Sequence, residues 1–162
     1  MNLLVVGFVR GHGIASTAIE WFGGGGFSHV TTLWDKDHVL DSRVEGGVQI
    51  RPLGYLSSDS TVWVKIPAPP EQVSFCRTAL YSQLKKPYDK LGIWNFLSGS
   101  AKDRNWRNQA AWFCDELAVW SWEQAGICPQ LLLAPNRITP GGAALVASAL
   151  GATKIRLSEL QW

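Results

Sequence analysis

The feature that most constrains this chain is the change of hydrophobic period halfway along it. Up to residue 66 the apolar residues come in short, β-branched runs broken by turn residues. Beyond residue 70 they recur at helical spacing. Residues 3–9, 28–34, 38–42 and 61–66 (TVWVKI) read as strands. Asp35-Lys36-Asp37 is a turn between two of them, and VQIRPL after Gly46-Gly47 reads as a continuation of the 38–42 strand. Residues 14–22 place Ile14, Ala18, Ile19 and Phe22 on one helical face ahead of the glycines Gly23 to Gly26. Residues 71–85 set Val73, Cys76, Leu80 and Leu84 on one face. Further helices are expected over 89–97, over 114–125 with Gly126 as C-cap, and from Pro140, with a closing strand at 152–157. A helix, then antiparallel strands, then helices is the order of an α+β fold, an antiparallel sheet packed against helices.

The 162 residues suit a single domain, 1–162. Only 17% are charged and the net charge is +2, with basic residues scattered, so no nucleic acid partner is expected. Lys102, Arg104 and Arg107 adjoin Asp103 and read as a solvated loop. No apolar stretch is long enough for stable membrane insertion, and the N-terminus MNLLVVGFVRGHG does not read as a signal peptide. The expected location is therefore cytoplasmic as synthesised, with any export left to a holin, a phage particle or a secretion machine. Cys76, Cys114 and Cys128 form no CxxC pair and are odd in number, which argues against a disulfide framework and a structural zinc site.

Candidate chemistry centres on Cys114, in WFCDELAVWSW. It falls in the first turn of a helix, where unpaired N–H groups and the helix dipole favour a thiolate and can hold an oxyanion. The segment taken alone fits a small buried apolar residue at least as well. A cysteine nucleophile needs a base. His12 lies between two glycines, His38 adjoins a charged turn, and His29 sits early in an apolar strand. A three-residue turn at 35–37 sets Trp34 opposite His38 and His29 opposite Arg43, so Asp41 lies diagonally across on the same sheet face as His29. A two-residue turn puts Asp41 on the other face. Glu45 satisfies the same parity and stays open as the alternative orienting group. The tetraglycine run lacks the Lys-Ser/Thr pair of a phosphate loop. Of the nine tryptophans, Trp94, Trp106, Trp112, Trp120 and Trp122 crowd the Cys114 region, and Trp120 and Trp122 cannot share one helix face.

Five segments occur in an order that resembles a known family. They are Ser28-His29-Val30 after the glycine run, Val39-Leu40-Asp41 with Gly47-Val48, Pro87-Tyr88-Asp89, Phe113-Cys114-Asp115-Glu116-Leu117, and Ile138-Thr139-Pro140. They are similar to the "SHV", "vlEA…GV", "PYD", "FCSEL" and "TP" segments of the circularly permuted, NlpC-type, papain-like cysteine peptidases, the YiiX-like branch. There the histidine strand precedes the cysteine helix.

The resemblance implies a permuted papain-like fold and a Cys114–His29–Asp41 triad, with Tyr88 lining the cleft as a donor to substrate or oxyanion. It implies no metal and no cofactor. The implied reaction is hydrolysis of amide or peptide bonds, such as those of cell-wall peptides, through a thioester acyl-enzyme. Two other readings stay open: a lipid-directed thiol esterase or acyltransferase, since lecithin retinol acyltransferase shares the permuted order, and a non-catalytic binding module. The partner is accordingly a peptide, amide or acyl substrate, and the oligomeric state is not fixed. Two residues depart from the pattern. Asp41 replaces a glutamate and is one methylene shorter. Asp115 replaces a serine, and a carboxylate there raises the thiol pKa unless it points away.

Overall fold

The computed structural model describes residues 3–11, 26–56, 60–90, 110–131 and 138–160. The strands are β1 (Leu4–Val9), β2 (His29–Leu33), β3 (His38–Arg43), β4 (Gly47–Pro52), β5 (Thr61–Ile66) and β6 (Thr153–Lys154). The helices are α1 (Pro70–Ser82), α2 (Cys114–Gln124) and α3 (Pro140–Ala149). The expected helices at 14–22 and, beyond its first residues, at 89–97 lie outside the described residues, as do His12, Trp94 and Trp106. The mixed class is as expected: one antiparallel six-stranded sheet, ordered β4-β3-β2-β1-β5-β6, with helices packed on it.

Strand alternation sorts the sheet residues into two cores. Leu4, Val6, Phe8, Val30, Leu40, Val48 and Ile66 face the helices and pack with Leu80, Leu117 and Trp122. Val5, Leu33, Val39 and Trp63 face the other way and are covered by Leu53, Tyr55, Ile155 and Leu157. The turn between β2 and β3 is the three-residue one: Thr32 pairs with Leu40, Leu33 with Val39, and the Trp34 amide donates to the His38 carbonyl at 2.8 Å.

Residues 47–52 correct the sequence expectation. They do not continue β3 but turn back beside it, with Arg43 opposite Gly47 and Asp41 opposite Gln49. Gly46 and Gly47 both have positive φ, 85° and 64°, which reverses the chain where a continuous strand was expected. On the outer side of β4, Val48 exchanges two backbone hydrogen bonds of 2.9 Å with Lys85 and Lys86.

The helix ends agree closely with their sequence signals. Gly126 follows α2 with a φ of 65°, and Thr139 caps α3 by accepting from the Gly142 amide at 3.0 Å, ahead of Pro140. The closing strand shrinks to two residues, followed by a 3-10 turn at Leu157–Glu159. Trp122 is buried and Trp120 is only partly so, stacking obliquely on Trp112 at 4.8 Å. No helix among the described residues is long and apolar enough to cross a membrane.

Candidate active site

The β2–β3 ladder pairs Thr32 and Leu33 near its turn, and Val30 lies beyond that paired stretch. The chain entering α2 fills the same region. Ser42 Oγ donates to the Trp112 carbonyl at 2.8 Å, the Trp112 amide donates to the Pro87 carbonyl at 3.1 Å, and Tyr88 bridges to Trp112. Phe113 then opens α2, and the Cys114 thiol comes to rest against the Val30 backbone amide, the residue after His29. In this way long-range backbone contacts put the helix start beside the histidine strand.

On β2, His29 turns its Nε2 toward Asp41 Oδ2 at 2.8 Å. Carboxylate oxygens only accept, so Nε2 carries the hydrogen and the neutral ring keeps its lone pair on Nδ1. The odd turn length has thus brought His29 and Asp41 together as the parity argument required. Glu45 sits in the exposed β3–β4 turn, where its carbonyl accepts from Arg51 at 2.8 Å. Of the two acidic candidates, only Asp41 meets the imidazole.

Asp41 is 2% exposed. Burial alone pushes a carboxyl toward its neutral form, but the His29 hydrogen bond, a donation from the Tyr55 hydroxyl and the nearby Arg51 charge outweigh it. Its pKa is held below the ordinary value. Arg51 Nε faces Oδ1 at 3.3 Å as an ion pair without an aligned hydrogen bond, while its Nη2 ties the carbonyls of Glu45 and Gly47. Tyr55 and Arg51 were not anticipated from the sequence. Tyr55 lies under the Arg43 guanidinium at 4.7 Å, and burial with the adjoining Asp41 charge keeps its hydroxyl protonated.

The expected thiolate character of Cys114 needs correction. The side chain is 5% exposed, and burial pushes its pKa well above the ordinary thiol value, with Asp115 adding to the rise. The Val30 amide opposes this shift without overcoming it. Asp115 does not point away: its Oδ1 accepts from the thiol at 3.4 Å. Burial pushes Asp115 itself up to about 7. Glu116 folds back to accept from the Phe113 amide at 3.4 Å, and burial pushes it up to about 8. The helix terminus therefore gathers two carboxyls that resist ionisation beside the thiol.

Tyr88 stands edge-on to Phe113 with ring centroids 5.5 Å apart, close enough to feel the Cys114 and Asp115 charges, and burial keeps its hydroxyl protonated. His38 stays in its charged turn, bonded through Nδ1 to Asp35 at 2.8 Å. Cys76 and Cys128 are buried, and Cys76 Sγ lies 3.3 Å from Ser121 Oγ. Among the described residues no group of three or more His, Cys, Asp or Glu side chains is placed to hold a metal ion.

Neither a family model nor a curated protein matches the sequence. Among solved structures, the fold is similar to the crystal structure of the metalloprotein YiiX (DUF1105) from Escherichia coli O157:H7, with a TM-score of 0.59 at 19% identity. The match covers 76% of this chain but only 65% of that one. The likeness is one of fold: a mixed α and β architecture consistent with a YiiX-like neighbour.

Proposed function

We propose that the chain is a cysteine hydrolase of amide or peptide bonds on a permuted papain-like fold, with Cys114 as nucleophile, His29 as base and Asp41 as the group that orients the base. The observation that carries this reading is the buried His29–Asp41 pair, 2.8 Å apart and ionised on the Asp41 side, set one residue from the amide that touches the Cys114 thiol. Nδ1 takes the thiol proton and Sγ attacks the carbonyl carbon. The oxyanion is met by backbone amides at the start of α2 and by the Tyr88 hydroxyl. The imidazolium returns its proton to the leaving amine, leaving a thioester that water hydrolyses through the same histidine.

A binding module on the same fold is the second reading, favoured by the raised thiol pKa and by the thiol's hydrogen bond to Asp115. Alkylation of Cys114 by iodoacetamide across pH, in the parent and in His29→Ala, separates the two. Reactivity that persists below neutral pH in the parent and is lost in the variant supports the hydrolase. A profile rising only near or above a free thiol's value of about 8.5, unchanged in the variant, refutes it. A panel of peptide amides and acyl lipids then distinguishes amidase from thiol esterase or acyltransferase.

A further inference from the structure

We propose that Asp115 is a further catalytic residue of this hydrolase, one whose proton decides whether the sulfur of Cys114 can act. The inference rests on the hydrolase reading and extends it to a residue outside the triad. Cys114 and Asp115 are consecutive in the first turn of α2, both buried, with Asp115 7% exposed and its Oδ1 3.4 Å from Sγ. That carboxyl touches the reacting atom itself.

The two ionisation states of Asp115 have opposite effects on the sulfur. When His29 Nδ1 removes the thiol proton, the thiolate is left beside Asp115. A protonated carboxyl then donates to the sulfur anion, and both its proton and the one now on the imidazolium are accounted for. An ionised carboxyl instead puts two anions in contact within a buried pocket, where little solvent screens them. The proton stays on the thiol in that state, as the acceptor geometry of Asp115 Oδ1 allows.

The other charged and titratable groups around the pair mostly push the same way. Glu116 lies on the same helix and senses both Asp115 and Asp89. Asp41 on β3 raises the thiol further, with His29 on β2 bonded to it. Tyr88 and Asp89 come from the segment before α2, with Arg43 a cation near Tyr88 and Arg51 one beside Asp41. Burial holds a proton on Asp115 up to about pH 7, against the hydrogen bonds it accepts from its own backbone and from the Cys114 thiol.

Asp115→Asn keeps the side-chain size and a donor but cannot ionise. The test is the rate of Cys114 alkylation between pH 5 and 9 in the parent, Asp115→Asn and His29→Ala. The expected ratio of Asp115→Asn to parent is near one at pH 6 and about tenfold at pH 8.5, one pKa unit's worth of repulsion removed. A ratio flat across this range overturns the proposal, whatever His29→Ala does. If His29→Ala alone matches the parent, the hydrolase reading falls and the catalytic role of Asp115 falls with it. Should Asp115→Asn fail to fold, the unsubstituted chain labelled with carboxyl-13C aspartate gives the same answer. A buried aspartate titrating near neutrality, its midpoint moved by alkylation of Cys114, supports the proposal. Every aspartate titrating near the ordinary value of about 4 overturns it.

Discussion

Gly46 and Gly47 offer a matched pair of perturbations, because they share a backbone conformation and differ in what a side chain would meet. Both lie at positive φ, so alanine at either costs about 1.5 kcal/mol of left-handed strain. At Gly46 the new Cβ meets only the end of the Gln49 side chain, which can swing aside. At Gly47 it would fall 2.1 Å from the Lys86 carbonyl oxygen and 2.9 Å from Pro87 Cα, both of them backbone atoms. Lys86 must retreat, and the two 2.9 Å hydrogen bonds that Val48 exchanges with Lys85 and Lys86 are lost. At about 1 kcal/mol each, they bring the cost of Gly47→Ala to about 3.5 kcal/mol against about 1.5 for Gly46→Ala. Urea unfolding followed by tryptophan fluorescence measures both, since Trp112 and Trp122 are buried. The displacement should also travel through Pro87 and Trp112 to Cys114, changing the native alkylation rate in Gly47→Ala alone. Equal unfolding costs for the two variants would refute the reasoning.

Two further predictions concern the carboxyls. Tyr55→Phe keeps the ring under Arg43 but removes a donor to buried Asp41, and should cost about 2 kcal/mol in urea unfolding. A loss below about 0.5 kcal/mol would mean the hydroxyl contributes nothing to holding Asp41. Glu116 has a folded pKa of about 8 against 4.5 unfolded, so the folded state binds more protons between those values and loses stability as pH rises through that window. Glu116→Gln should therefore gain up to about 5 kcal/mol over the parent at pH 9 relative to pH 4. Thermal unfolding at the two pH values reads this, and a pH-independent difference would contradict it.

How much of this was legible beforehand depended on whether the signal was local. The His29–Asp41 pair was readable because strand parity and an odd turn length are properties of consecutive residues. The return of β4 was not, since Gly46-Gly47 fits an interruption as well as a reversal until a partner strand is known. That misreading concealed Arg51: with β4 antiparallel to β3, Gln49 opposes Asp41, and Arg51 lies two residues on, facing the same side. Tyr55 had no periodic signal, because it sits in a 3-10 turn after the strand. The thiol was misjudged for a different reason. A helix N-terminus stabilises an anion wherever it occurs, but the opposing cost of burial depends on tertiary packing around Cys114, which the sequence around it does not display.

The backbone link from Val48 to Lys85 and Lys86 also bears on how the sheet ends. An edge strand exposes a row of amides and carbonyls on which a foreign strand can grow. Along β4 the outward-facing positions are Val48, Ile50 and Pro52. Val48 is already engaged by its own chain, and Pro52 has no amide hydrogen to give. That leaves Ile50 as a single position, too short a template to seed a cross-chain ladder. At the far edge β6 is two residues long, exposed, and carries Lys154. The same lysine-bearing segment that leads into Tyr88 thus guards one border of the sheet against self-association into fibrous aggregates.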